Sequence, residues 1–153
     1  MSNEQENYLF LNYCNDDLEY AKNILAEIKK NKSKTIIIGA AFRYAIIAYA
    51  KPFKKTKGKI KKNHILPASY IPEKYLALHK KIMDARDQIH AHSDITIKNA
   101  ELIILNKNFG VGITENNNSD FELFQHIDDI LFLIKGIRNN IYADFQKIHE
   151  RLK

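Results

Sequence analysis

The sequence predicts an all-α fold: an antiparallel four-helix bundle with a small β-hairpin or loop excursion around residues 95–114. Apolar residues recur at spacings of three and four through four long segments, the signature of amphipathic helices. Short breaks rich in proline, asparagine or lysine separate those segments. The chain has 153 residues, 45% apolar and 27% charged, the size and balance of one ordinary globular domain. Residues 1–153 are therefore read as a single helical domain, with 51–71 a basic loop between the second and third helices.

The first segment runs from about Ser2 to Lys30. Leu11, Cys14, Leu18, Ala21, Leu25 and Ile28 trace one face, with acids mostly early and Lys29, Lys30 and Lys32 late, as the helix dipole favours. Ser33 or Thr35 can cap a second helix that ends near Ala50, before Pro52. Its run from Ile36 to Phe42 is apolar nearly all round, which predicts the buried central helix, and Arg43 in its middle must find a partner or the rim. Pro67 and Pro72 mark turns, and Pro72 is placed to open a third helix over about Glu73 to Ala91. Leu76, His79, Ile82 or Met83, Arg86 and Ile89 or His90 would lie along its inner side.

The period then changes. Ile95 and Ile97, Leu102 to Leu105, and Val111 and Ile113 are short β-prone stretches. Ser119 or Asp120 can cap the last helix. Phe121, Phe124, Ile127, Leu131, Ile134, Ile137, Ile141, Phe145, Ile148 and Leu152 repeat at helical spacing for over thirty residues. Such a helix would be close to ~50 Å long, so a kink near Gly136 or packing against a second copy is expected.

The longest uninterrupted apolar or small run, Thr35 to Phe42, stops at Arg43, well short of the roughly 20 residues a membrane helix needs. No membrane span is therefore expected. The polar, acidic start from Met1 to Asn7 is unlike a secretory signal. Cys14 stands alone, without a disulfide partner or a zinc-ligand cluster, which fits a reducing, cytoplasmic setting. The net charge is +6, but seven lysines lie between Lys51 and Lys62 with no acid among them, and without them it is −1. Such a loop is ordinarily a solvated connector. Its alternative is a phosphate-binding strip in which Lys54, Lys55, Lys57 and Lys59 attract a polyanion.

No phosphate-binding glycine loop, dinucleotide motif, nucleophile elbow or zincin motif is present. The one dense polar cluster runs from Arg86 to Asp94, with Asp87, His90, His92 and Ser93 between. A metal site would need His90 and His92 with His79 or Asp94, but helical residues two apart point about 200° apart. No metal and no cofactor are expected. A bland reading has His90 in the core and Arg86 paired with Asp87 or Asp94. A third reading is phosphodiester cleavage. RNA carries its own nucleophile in the 2′-hydroxyl, so a histidine to move the proton and an arginine to stabilise charge on phosphorus suffice.

Arg86-Asp87-x4-His92 resembles the signature of the HEPN family (higher eukaryotes and prokaryotes nucleotide-binding domains). The run Arg86 to Asp94 is similar to a stretch of bacterial abortive-infection members. The resemblance implies a homodimeric, metal-independent endoribonuclease of toxin or phage-defence systems, whose Arg and His face their two-fold mates across a cleft. Carried over, Arg86 would bind the scissile phosphate, His92 would act on the 2′-hydroxyl or leaving group, and Asp87 fills the polar second position. His90 is a further substrate-contacting candidate. Arg138-Asn139 begins like the motif but finds no histidine at the required spacing.

Six residues of ideal helix leave Arg86 and His92 some 120° apart and about 9 Å along the axis, a gap that a dimer would ease. Arg43, Tyr44 and Tyr49 are further candidates to line the cleft. The alternatives are a HEPN-like module that only binds RNA or an antitoxin protein, and an unrelated helical interaction protein.

Overall fold

The structure is a computed structural model and describes residues 1–31, 36–61, 63–90, 101–104, 111–114 and 119–152. It is mostly helical. The first helix, α1, spans Asn3–Lys30. Ser2 caps it through a reciprocal pair: its hydroxyl accepts from Gln5 N at 3.1 Å, and Gln5 Oε1 accepts from Ser2 N at 2.8 Å. The predicted stripe from Leu11 to Ile28 is buried throughout, joined by one charged residue, Glu6.

The second helix, α2, is Ile36–Ala50 and packs against α1. Its burial begins at Phe42, whose ring meets Phe124 at 5.2 Å between centroids, and continues through Ala45, Ile46, Ala48, Tyr49 and Ala50. The expectation of a helix buried nearly all round fails at its start. Ile36 is 94% and Ile37 77% exposed, while Ile38 and Ala41 are partly buried against the core, so only one side of this stretch is covered. Arg43 takes the exposed side, and the caps expected at Ser33 or Thr35 lie outside the described residues.

By length and composition alone, Ile36–Phe53 is an 18-residue stretch apolar enough to cross a membrane, with a mean hydropathy of 1.3, contrary to the expectation from its shorter unbroken run. In the fold its α-helical part is 15 residues, about 22 Å long against a hydrocarbon core of about 30 Å, and its second half builds the protein core.

A 3-10 turn, Lys51–Phe53, follows α2 directly, and two more, Ala68–Tyr70 and Glu73–Tyr75, lead into α3, Leu76–His90. Ile82 and Ala85 are the buried side chains of α3, whereas Leu76 is 43% exposed rather than inward. Leu76 opens α3 six residues before Ile82, which places it about 120° round the helix from that buried side chain.

Two strands follow, β1 (Glu101–Ile104) and β2 (Val111–Thr114), paired antiparallel with Leu102 opposite Ile113. They lie within the 95–114 excursion; Ile95 and Ile97 fall outside the described residues.

The predicted long last helix is two helices, α4 (Ser119–Gln125) and α5 (Ile127–Leu152), interrupted at His126 and not at Gly136. Gly136 instead makes room for a neighbour: a Cβ there would stand 2.5 Å from Pro72 Cγ. Ion pairs fix the direction of α5 against α1. Arg151 meets Glu4, Arg138 meets Glu19, and Lys29 meets Asp128, so the two helices run antiparallel along their whole lengths. The core is one continuous cluster drawn from all five helices, with Leu123 from α4, and from the 51–71 loop, which contributes Phe53, Leu66 and Ile71.

Candidate nucleic-acid interface

The site begins with an adjacent pair on α3. Arg86 Nη1 donates to Asp87 Oδ1 at 2.8 Å, and Lys54 Nζ, from the basic loop, donates to the same oxygen at 2.9 Å and to Oδ2 at 3.2 Å. The Lys54 bond, then the Arg86 bond, hold the Asp87 carboxyl below its ordinary range, so it stays ionised. One carboxylate serves two cations, and the cluster keeps a net positive charge.

Lys54 reaches α3 because the loop is folded, not a solvated connector. The turn Lys51–Phe53 drives Phe53 into the core, where its ring meets His79 at 4.6 Å and Tyr49 at 5.5 Å. Leu66 N donates to Pro52 O at 2.8 Å, and Thr56 and His64 exchange backbone bonds of 2.9 and 2.8 Å. Lys51 pairs with Asp17 of α1 at 3.0 Å. At the far end, Asn140 Nδ2 donates to Tyr70 O at 2.8 Å and the Tyr70 hydroxyl donates to Asp144, fastening the loop to α5.

Its tip is held by Glu6. The backbone N–H groups of Lys59, Ile60 and Lys61 converge on this carboxylate, with Ile60 N at 3.0 Å from Oε1 and Lys61 N at 2.9 Å from Oε2. Successive N–H groups turned to one side make an anion-binding concavity, and here the anion is the protein's own. Burial would raise the carboxyl pKa, but these donors and neighbouring His64 outweigh it and bring it from an ordinary 4.5 to about 2. His64 stacks on Phe10 at 4.9 Å, and its Nε2 stands 3.5 Å from Glu6 Oε1 without closing a hydrogen bond. Gly58 is required here. A Cβ would lie 2.6 Å from Glu6 Oε1, 2.7 Å from His64 Nε2 and closer still to the Lys61 carbonyl oxygen.

Between α1 and this loop opens a cavity of about 550 Å³. Phe10, Tyr13 and Ile47 supply its apolar wall, and Lys54, Lys57 and Arg86 are among its cations. The arrangement can grip a phosphate beside an apolar surface.

Of the residues singled out from sequence, Arg86, Lys54, Lys57 and Lys59 line this one cavity, and Asp87 bonds two of them. Lys55 is exposed and does not line it. His92 and the His90 side chain lie outside the described residues. Tyr49 is not at a cleft: it is fully buried and its hydroxyl bonds His79 Nδ1 at 2.8 Å, which also commits the imidazole weighed as a metal ligand. Tyr44 packs edge-on against Tyr20 at 5.8 Å, and neither it nor Arg43 lines the cavity. Among the described residues no group of three or more His, Cys, Asp or Glu could hold a metal.

Sequence reasoning missed Glu6, Phe10, Tyr13, Ile47, Gly58 and His64. A glycine inside a lysine run and an acid pair at the start of α1 were the available signals. No protein-family model, curated protein or solved structure matches this chain.

Proposed function

We propose that this chain is a metal-independent endoribonuclease of the HEPN type, a four-helix bundle built on α1, α2, α3 and α5 that cleaves RNA as a cytoplasmic homodimer in a toxin or phage-defence role. One observation carries the reading: Arg86, the motif arginine, shares its carboxylate partner with Lys54 and lines a cavity with Lys54, Lys57 and Lys59. A chain that cleaves RNA needs a guanidinium where a polyanion is drawn in, and the loop and α3 supply both together.

In this reading the lysines attract the backbone electrostatically and Arg86 grips the scissile phosphate. His92 moves the proton of the 2′-hydroxyl or of the leaving oxygen, with the two-fold copy completing the site. Asp87 holds Arg86 in place and ties it to Lys54.

The test is incubation with total bacterial RNA in EDTA, alongside Arg86→Ala and His92→Ala. Cleavage by the parent protein alone, leaving 2′,3′-cyclic phosphate ends, is the expected result. His92→Ala should keep RNA binding and thermal stability nearly intact; a large loss of stability would mark a core histidine. A second reading, a binding module for RNA or an antitoxin protein, draws on the same Lys54–Asp87–Arg86 cluster, which grips phosphate without any histidine. RNA binding without cleavage in a folded dimer would select it.

A further inference from the structure

We propose that the cavity between α1 and the basic loop receives one unstacked nucleotide of a single-stranded RNA, its base against Phe10, Tyr13 and Ile47 and its phosphate against Lys54, Lys57 and Arg86. This rests on the RNA reading above and adds to it how the strand is held. Ligand pockets run from roughly 300 to 1,000 Å³, and at about 550 Å³ the cavity is in that range. Tyr13 is 68% exposed and lines the cavity together with the loop cations, so its ring is free to meet a base.

Charge decides between an aromatic ligand carrying phosphate and a purely apolar one. Asp17 is neutralised by Lys51, Glu6 is held by backbone N–H groups, and Asp87 is divided between Lys54 and Arg86. Lys57 and Lys59 have no ion pair among the described residues, so the rim carries excess positive charge beside an apolar wall. An aromatic face next to cations is how proteins hold single strands, because every base has a π-face whatever its sequence. A paired, stacked base cannot enter, which makes the cavity selective for single strands.

His64 closes the cavity on the Glu6 side. It is 7% exposed, lines the cavity, and its Nε2 has no hydrogen-bond partner among the described residues. That nitrogen is sealed from solvent and faces Glu6 Oε1 at 3.5 Å, so the ring serves as wall and not as a ligand contact.

The experiment uses an uncleavable 2′-O-methyl RNA octamer, its duplex with a complementary strand, and the same octamer with one central base removed. Single strand should outcompete duplex. Tyr13→Ala should weaken single-strand binding about 5- to 150-fold, the span that loss of one stacked base predicts, while Tyr13→Phe stays within about twofold. Duplex binding as tight as single strand, or Tyr13→Ala binding like the parent, overturns the proposal. A protein that binds this way yet leaves ordinary RNA intact keeps the pocket and loses the catalytic reading. One that cleaves RNA but is indifferent to Tyr13→Ala does the reverse.

Discussion

Lys54 Nζ stands 2.9 Å from Asp87 Oδ1, so residues 33 apart in sequence form one charge cluster beside Arg86. The basic loop is thereby docked on the helix that carries the arginine. Both side chains are part exposed, so Lys54→Gln should cost only about 0.2–1 kcal/mol in thermal or denaturant unfolding. A loss of several kcal/mol would mean that the pair holds the fold together and not the site.

Loop lysines that face the cavity should differ from those that do not. On single-stranded RNA each lost phosphate contact lowers the salt slope of log K by about 0.7, so Lys57→Gln with Lys59→Gln should flatten it by roughly 1.4. Lys55→Gln should leave it unchanged. Titrations between low and moderate salt check this, and an equal effect of Lys55 would return the loop to a diffuse cation cloud.

Glu6 makes stability depend on acid. Its folded pKa of about 2 lies below the ordinary 4.5, so its contribution is present in full above about pH 5 and fades as pH falls from 4.5 towards 2. Glu6→Gln should lower the melting temperature at pH 7 and shrink the further loss on acidification across that window. Parallel pH–melting curves for the two proteins would show that the carboxylate is not the titrating group.

Gly136 poses a contest between two effects. Alanine in a helix interior is favoured over glycine by about 1 kcal/mol, but a methyl 2.5 Å from the rigid Pro72 ring forces the turn before α3 away from α5. Overpacking of about 1–3 kcal/mol should win, so Gly136→Ala is expected to destabilise. Restored stability in Gly136→Ala combined with Pro72→Ala would confirm the cause.

Tyr49→Phe removes the hydroxyl bonded to His79 at 2.8 Å and should cost about 1 kcal/mol or somewhat more, because a half-buried nitrogen loses its partner. Burial holds the His79 pKa below its ordinary 6.5, so the ring favours the neutral form in the fold. Stability tied to it is present above pH 6.5 and is lost as pH falls below that value. Unfolding curves between pH 5 and 8 for His79→Gln, expected to flatten the decline, measure its share.

How much of this was legible in the sequence depended on whether a residue's partner was local. Leu11 through Ile28 announce one face of α1 because the helix period alone decides which side they take. Leu76 misled because six residues of helix turn it about 120° away from Ile82, so the two cannot share one buried face. Gly136 read as a weak point in a long helix, whereas its lack of a side chain serves Pro72, 64 positions earlier, and the break falls at His126. The lysines and Arg86 were visible as chemistry, but not that they meet, because Phe53 and Glu6 bring them together through contacts far apart in sequence. Backbone N–H donors such as those of Ile60 and Lys61 leave no mark on a sequence at all.

The grip of Glu6 on the loop tip also changes the entropy of any encounter with a polyanion. A slack lysine segment must surrender its freedom when it closes on a ligand, and ordering side chains and backbone at that moment weakens binding. Here the main chain around Lys57, Lys59 and Lys61 takes its shape when the protein folds, with the amides of the latter two turned onto an internal anion. The lysines then meet a strand as a preset comb of charge, and loosening that one carboxylate would slow and weaken capture without removing a single cation.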